Sequence, residues 1–440
     1  THGGRLMDRV QDLSLHNVLK SKCVVDKAKT GIDKEGVFGV GLLGKVIPRF
    51  FGTLALILCL TRELDEQVGK ELRKLARSVP NIKLVLLCGG KPFGPQVGSL
   101  EHGAHIIVGT PGRIQDHLKK RTLNIGQLKT LVLDEADRML DMGFADVMTD
   151  IIGHTPKSRQ TLLFSATYPD EIKAMCRSIQ RDPVAITVES DHQQNVIEQL
   201  FYQVKKHERN NTLLALFEHY HPNTAVVFCH TKAQCSEMAE FLREHNIESL
   251  AIHGDLDQRE RDQVLVRFAN NSCSVLVATD VAARGLDIKS IGMVINYELP
   301  RDPEIYVHRI GRTGRAGETG LAMSLFAEHE QVRVKAIEEY QHKPCLIDSP
   351  LSLDRDSSYK LYPPMVTIQI DGGRKDKIRP GDILGALTGD AGLEGKQIGK
   401  IDIFDRSSYV ALEHEAVRQA LNYLANGKIK GRPAKARKVR

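Results

Sequence analysis

Asp134 and Glu135 end the apolar run TLVL and open the stretch VLDEADRML. Carboxylates at the end of a buried strand stand where a sheet meets solvent. One acid there can hold Mg²⁺ through its waters while its neighbour orients and polarises an attacking water. Alone, such a pair is more often a turn or helix cap. A second cluster, HRIGRTGRAG, sets Arg309, Arg312 and Arg315 three residues apart among glycines and beside His308. That spacing predicts three guanidinium forks projecting from one side of a short helix or loop, suited to bidentate contact with phosphate oxygens. A solvent-facing basic helix start is the plainer reading of any one of them. In VATDVAARGLDI, Thr279 and Asp280 close another apolar run and Asp287 follows an Arg-Gly turn. Hydroxyls and acids at strand ends are ordinary caps when isolated.

The elements that must position these residues are short apolar runs, each ending in a small polar or acidic residue. They are ALILCLT, IKLVLLCGG, HIIVGTPGR, TLVLDEAD and QTLLFSAT, then TAVVFCHT, SVLVATD, GMVINYE and GLAMSLF. Continuous rather than alternating apolarity predicts strands buried on both faces, hence parallel sheet. Amphipathic stretches such as ELDEQVGKELRKLARSV and KAQCSEMAEFLREHN lie between them. Alternating strand and helix predicts doubly wound α/β layers, with ligands gathered at the carboxyl ends of the strands. The polar stretch ESDHQQNVIEQ at Glu189–Gln199 divides this region into two units of similar length. A second break, SPLSLDRDSSYKLYPP, precedes MVTIQID, GKIDIF and SSYVALE, which read as strands, and GDILGALTG and HEAVRQALNYLA, which read as helices. The order βαββα, with a last strand in the basic tail, predicts a small sheet with helices on one face. The expected domains are residues 1–190, 196–348 and 364–440.

A chain of 440 residues with 41% hydrophobic and 26% charged content is ordinary for a globular protein, which excludes collagen, coiled coil and whole-chain disorder. No apolar run approaches the ~20 residues that span a bilayer; the best, FFGTLALILCL, stops at Arg62. No secretory signal is visible, and the start at Thr1 predicts a missing N-terminal piece. The eight cysteines form no CxxC pair and no cluster with histidine, so buried free thiols and a cytoplasmic location are expected. The net charge of +6 lies entirely in the last part: residues 364–440 hold 15 Lys and Arg against 9 Asp and Glu. Seven of those cations stand in KIKGRPAKARKVR, a solvated charge run or a phosphate-backbone contact.

Together these motifs resemble the DEAD-box RNA helicases. The series runs in family order through LTREL at Leu60–Leu64, Gly89–Gly90, TPGR at Thr110–Arg113, DEAD at Asp134–Asp137, SAT at Ser165–Thr167 and QRER at Gln258–Arg261 to the two later motifs above. The resemblance implies two tandem RecA-like domains, with ATP, Mg²⁺ and RNA bound across their cleft. It implies adenine recognition by Gln11, which stands seventeen residues ahead of Ala28. It further implies nucleotide contacts from Thr30, Gly31 and Lys34, a ribose contact from Asp287, and Mg²⁺ held through water by Asp134 with Glu135 activating the attacking water. Arg312 and Arg315 match the arginine fingers. Arg62, Thr110, Gly112, Arg113 and Thr279 match positions that grip the RNA backbone, and Ser165 and Thr167 match the motif that couples hydrolysis to strand opening. The C-terminal segment is similar to the RRM-like domain of a bacterial group directed at ribosomal RNA, which implies a 23S rRNA hairpin and pre-50S particles as partners of a monomer. In that domain Tyr409 is the one ring placed to stack on a base, with a partly buried strand residue as the alternative. Lys428, Lys430 and Arg432 are the expected phosphate contacts.

One departure matters. The family writes A-x-x-G-x-G-K-T where this chain has AKTGIDKE at Ala28–Glu35, so Asp33 replaces a glycine and Glu35 a hydroxyl. A carboxylate ~4 Å from a phosphate charge costs on the order of 4 kcal/mol at an effective dielectric of 20, about a thousandfold in affinity. The resemblance therefore implies an RNA helicase, with an ATPase-impaired RNA-binding or chaperone protein on the same scaffold as the alternative.

Overall fold

The computed structural model describes residues 9–27, 34–50, 52–165, 168, 170–187, 197–283, 291–314 and 319–439. They form two compact units that divide near residue 192.

In the first unit the strands are β1 (Val24–Lys27), β2 (Ala55–Leu58), β3 (Leu84–Leu87), β4 (Ile106–Gly109), β5 (Thr130–Leu133), β6 (Gln160–Phe164) and β7 (Val184–Thr187). They make one seven-stranded sheet in the order β3-β4-β2-β5-β6-β1-β7, parallel throughout. The physical reason is the double-sided apolarity of the runs. Leu56, Ile57, Leu58, Leu131, Val132 and Leu133 are fully buried, each contributing about 1.5–3 kcal/mol by leaving water. The helix Arg62–Leu75 starts where Thr61 accepts a hydrogen bond from the Leu64 N–H at 3.3 Å, a cap worth ~1 kcal/mol. That cap fixes where Arg62 leaves the sheet.

The second unit repeats the plan. Its strands β8 (Ile197–Gln203), β9 (Ala225–Phe228), β10 (Ser249–Ile252), β11 (Val275–Ala278), β12 (Met293–Asn296), β13 (Gly320–Phe326) and β14 (Leu346–Asp348) form a second parallel sheet in the order β10-β11-β9-β12-β13-β8-β14. Thr231 caps the helix Lys232–Glu244 by accepting from the Gln234 N–H at 3.2 Å, the counterpart of Thr61. The polar stretch before this unit ends in strand: Ile197, Glu198 and Gln199 begin β8.

The same unit carries the C-terminal domain. Here β15 (Met365–Asp371), β16 (Ile398–Ile403), β17 (Ser407–Glu413) and β20 (Ala436–Lys438) form an antiparallel sheet in the order β16-β17-β15-β20. The basic tail is folded: β18 (Lys428–Ile429) and β19 (Arg432–Pro433) make a hairpin turned at Lys430 and Gly431, both of positive φ. One sheet face, with Ile368, Ile370, Val410 and Leu412, packs with Leu387, Ala420 and Leu424 in the domain's core. The opposite face meets the second parallel-sheet domain. Thr367 donates to Ser272 at 2.8 Å, Gln263 to Gln369 at 3.3 Å, and Val266 packs with Tyr409 and Val439. The Ser349–Pro364 break is a strap rather than a free linker. Leu353 and Leu361 are buried in the second-unit core, and Tyr359 stacks on His221 with ring centroids 4.8 Å apart. Every cysteine among the described residues is a free thiol, and all but the half-buried Cys345 are buried.

Candidate functional site

The chemistry-bearing residues of the first unit collect at the carboxyl ends of its strands. Asp134 follows β5, buried, and its backbone N–H bonds the Leu58 carbonyl at 3.1 Å. Lys34 opens the helix Lys34–Leu43, and its Nζ lies 3.7 Å from Asp134 Oδ1. Burial pulls the Lys34 pKa down, but the carboxylates of Asp134, Glu135, Glu35 and Asp137 outweigh it and hold the ammonium charged. Asp134 Oδ1 has no hydrogen-bond partner. A buried cation facing a carboxylate oxygen with unused acceptor capacity is a donor set that fits a metal–polyphosphate ligand. Glu135 takes φ 54° and ψ 49°. That left-handed conformation is costly for a residue with a Cβ, and such strain clusters at functional positions. Glu35 accepts from Gln67 Nε2 at 3.3 Å, which draws its carboxylate toward the helix Arg62–Leu75.

Gln11 lies on the helix Arg9–Leu19, which Ser14 fastens to the end of β1 through a buried 2.8 Å hydrogen bond to Asp26. Burial raises the Asp26 pKa, against the opposing pull of Ser14 and Lys34. Ser165 follows β6, fully buried, with its N–H on the Asp26 carbonyl at 3.1 Å. Thr30, Gly31, Asp33, Thr167, Asp287 and Arg315 lie outside the described residues.

Beside the carboxylates a second cluster forms. Gly90, at φ 72°, leaves room for the Arg62 guanidinium, which any Cβ there would strike. Thr110 is the N-cap of the helix Pro111–Lys119, Gly112 faces open space, and Arg113 donates to the Lys91 carbonyl at 3.0 Å. Arg62, Thr110, Gly112 and Arg113 thus come together around the ends of β2, β3 and β4.

In the second unit Thr279 and Asp280 end β11 and begin the short helix Asp280–Ala283. Arg309 does not project outward as the spacing predicted. Arg309 points inward, 2% exposed, with Nε and Nη2 on the two Asp280 oxygens at 2.6 and 2.8 Å. Its Nη1 reaches Asn296 Oδ1 at 3.0 Å and the Glu298 carbonyl at 2.8 Å, and its guanidinium lies over the Phe228 ring. The helix Pro303–Ile310 carries it into the core because Tyr306 and Ile310 occupy the same buried side. Arg312 sits in the turn after that helix, its N–H on the Arg309 carbonyl at 3.2 Å. Arg309 is therefore a brace between the two motifs.

Three parts of the chain match known families: residues 8–175 the DEAD/DEAH box helicases, residues 208–317 the helicase conserved C-terminal domain, and residues 367–438 the DbpA RNA binding domain. The chain is 50% identical over 431 residues to the ATP-dependent RNA helicase DbpA of Escherichia coli (strain K12), covering 98% of this chain and 94% of that protein. The chain belongs to the DEAD-box ATP-dependent RNA helicases. It is also 41% identical over 322 residues to the DEAD-box ATP-dependent RNA helicase CshA of Bacillus subtilis (strain 168), covering 73% of this chain and 65% of that one. Among solved structures, S. cerevisiae Dbp5 bound to RNA and ADP BeF3 superposes with a TM-score of 0.71 at 28% identity, covering 78% of this chain and 90% of that chain. The two parallel-sheet domains of this helicase are RecA-like, and its third is the RNA-binding domain.

In the RNA-binding domain the structure corrects one expectation. Tyr409 offers no open stacking ring: it is 3% exposed, edge-on to Phe404 at 5.3 Å, and packed with Val266 of the preceding domain. The sequence could not reveal this, because an aromatic on an RRM sheet face looks the same whether RNA or another domain covers it. The tail cations also differ among themselves. Lys430 Nζ donates to the Lys377 carbonyl at 2.9 Å and lies 3.5 Å from Asp382, and Arg437 lies 3.3 Å from Asp371. Lys428 and Arg432 stand exposed on the hairpin. Sequence reasoning also missed Glu330, which is buried and paired with Arg209 and Arg333 beneath the ends of β12 and β13.

Proposed function

We propose that this helicase opens short duplexes in 23S rRNA during assembly of the large ribosomal subunit, working as a cytoplasmic monomer on pre-50S particles. What carries the reading is the match of residues 367–438 to the DbpA RNA binding domain, joined to two matched helicase domains. Such a domain gives the core an address on RNA, while the core's own contacts, to backbone, are indifferent to sequence. The proposed domains are residues 1–190, 196–348 and 364–440.

Lys34 is the cation for the phosphates of ATP, with Thr30 and Gly31 beside it, and Asp134 would hold Mg²⁺ through water. Bound there, Mg²⁺ would neutralise phosphate charge. Glu135 orients the attacking water and receives its proton, which fits its strained backbone at the strand end. Gln11 reads the adenine edge and Asp287 the ribose. Arg312 and Arg315 neutralise charge that builds in the transition state, and the Arg309–Asp280 brace holds Arg312 at its place. Arg62, Thr110, Gly112, Arg113 and Thr279 grip the RNA backbone, and Ser165 and Thr167 link that grip to the nucleotide. With the sheet face of the third domain covered, Lys428, Lys430 and Arg432 on the hairpin are its RNA contacts.

The test is stimulation of ATP hydrolysis by a 23S rRNA fragment against a control RNA of equal length and scrambled sequence. Stronger stimulation by the 23S fragment is expected. Equal stimulation by both would leave a helicase without a ribosomal address.

A further inference from the structure

Arg62 and the Thr110–Arg113 helix start leave different strands, yet both must face one RNA backbone. A buried chain of hydrogen bonds lies beneath them. Gln96, on the helix Phe93–Leu100, donates from Nε2 to the carbonyl of Cys88 at 2.9 Å, directly before Gly89 and Gly90, the seat of Arg62. Gln96 Oε1 lies 3.1 Å from His117 Nε2, and His117 Nδ1 lies 2.8 Å from the Thr122 hydroxyl. Because the amide's donor end is spent on Cys88, its oxygen must accept. His117 therefore carries its proton on Nε2, and its Nδ1 accepts from the Thr122 hydroxyl, which also lies 3.2 Å from the His117 carbonyl. Gln96 and His117 are both buried, and Phe93 stacks on the imidazole with centroids 4.2 Å apart. Burial, with Arg113 and Lys120 close by, brings the His117 pKa down to about 4, so the ring is neutral near pH 7. On the far side of Gly89–Gly90, Arg113 holds the Lys91 carbonyl. The glycine turn is thus tied at both ends to the helix Pro111–Lys119.

We propose that Gln96 and His117 are positioning residues for RNA: they hold the Gly90 seat of Arg62 and the Thr110–Arg113 helix start at one spacing, so that both engage the same strand. This rests on the reading above that these segments grip RNA. Neither side chain touches RNA itself, since both are buried behind the segments they hold.

The test uses the full chain and a short fluorescent poly(U) strand, with affinity measured by anisotropy in the presence of ADP and beryllium fluoride. Gln96→Met keeps the side-chain length and removes both hydrogen bonds. Gln96→Glu keeps an acceptor for His117, but sets a carboxyl oxygen against the Cys88 carbonyl where the donor stood and adds a buried charge. Both should weaken poly(U) binding about tenfold, ~1.4 kcal/mol, and lower the melting temperature through the unpaired buried groups, while ADP affinity stays near the parent's. Arg113→Ala is the control for the grip. If Arg113→Ala weakens binding and the Gln96 variants stay within about twofold of the parent, the positioning role is wrong and the grip stands. If Arg113→Ala changes nothing, or the parent shows no nucleotide-dependent affinity for poly(U), the grip reading fails and takes the inference with it. If ADP affinity falls together with RNA affinity, Gln96 is merely structural and the proposal is overturned.

Discussion

Asp65 stands three residues after Arg62, fully buried beside the Cys59 thiol. It lies near the end of β2, with Cys59, Glu63, Glu66 and Lys91 around it. Burial raises its pKa well above the ordinary carboxylate value; Glu63 and Glu66 add to the rise, while the Cys59 thiol and Lys91 oppose it. The native state therefore keeps the proton over a range in which the unfolded chain, titrating near ~3.9, has lost it. With one more proton bound in the native state, stability falls as pH rises at ~1.4 kcal/mol per pH unit until the native carboxyl itself ionises. Below the unfolded value the effect vanishes. Asp65→Asn keeps the shape and cannot ionise, so it removes this slope. Urea melts followed by circular dichroism at about pH 4.5 and 5.5 should show the parent losing ~1 kcal/mol more than Asp65→Asn across that interval. Near neutrality the variant should be the more stable protein. Parallel pH profiles for the two proteins would mean that Asp65 is solvated or paired, and the reasoning would be refuted.

Arg309→Met should remove a buried, doubly bonded pair and strand Asp280, costing about 3–5 kcal/mol in urea melts and abolishing RNA-stimulated hydrolysis; a loss below ~1 kcal/mol would make the brace a surface pair. Glu35→Thr combined with Asp33→Gly should tighten ATP binding by orders of magnitude if those two carboxylates oppose phosphate charge, as titration calorimetry with ATP would reveal; an unchanged affinity would show that the parent loop already accommodates ATP. Lys428→Gln and Arg432→Gln should each flatten the salt dependence of rRNA binding by roughly 0.7–0.9 in log–log slope, whereas an unaltered slope would move the RNA contact elsewhere. Tyr409→Ala should loosen the RNA-binding domain from its neighbour, seen as faster hydrogen exchange in Gln258–Ala269, with little change in the rRNA salt slope; the reverse pattern would restore Tyr409 to the RNA.

The runs that read as strands were those buried on both sides, because burial on two faces writes an unbroken apolar word. β2, β4, β5, β9, β11 and β12 are of this kind, each four residues long and wholly buried. β1 was missed for its brevity: VVDK offers only two apolar residues before the polar stretch AKTGIDKE. β8 was missed because IEQLFYQ mixes polar and apolar positions, as its burial does, next to the exposed edge strand β14. Asp134 and Thr110 do follow β5 and β4 directly, as apolar runs that end in polar residues predict, since position along an α/β chain predicts position at the carboxyl edge. Inward and outward directions were less legible. Arg309 and Arg312 have the same type and spacing, and only the packing of Tyr306 and Ile310 decides which is buried. Tyr409 failed for a related reason, since the domain that covers it is remote in sequence.

The central claim is that Lys34, Asp134 and Glu135 turn over ATP when RNA is bound. The direct measurement is phosphate release by the full chain with saturating ATP and Mg²⁺, with and without ribosomal RNA, beside Glu135→Gln. RNA-dependent release that disappears in Glu135→Gln is the predicted result. No release at saturating ATP, or release that Glu135→Gln leaves intact, would contradict it.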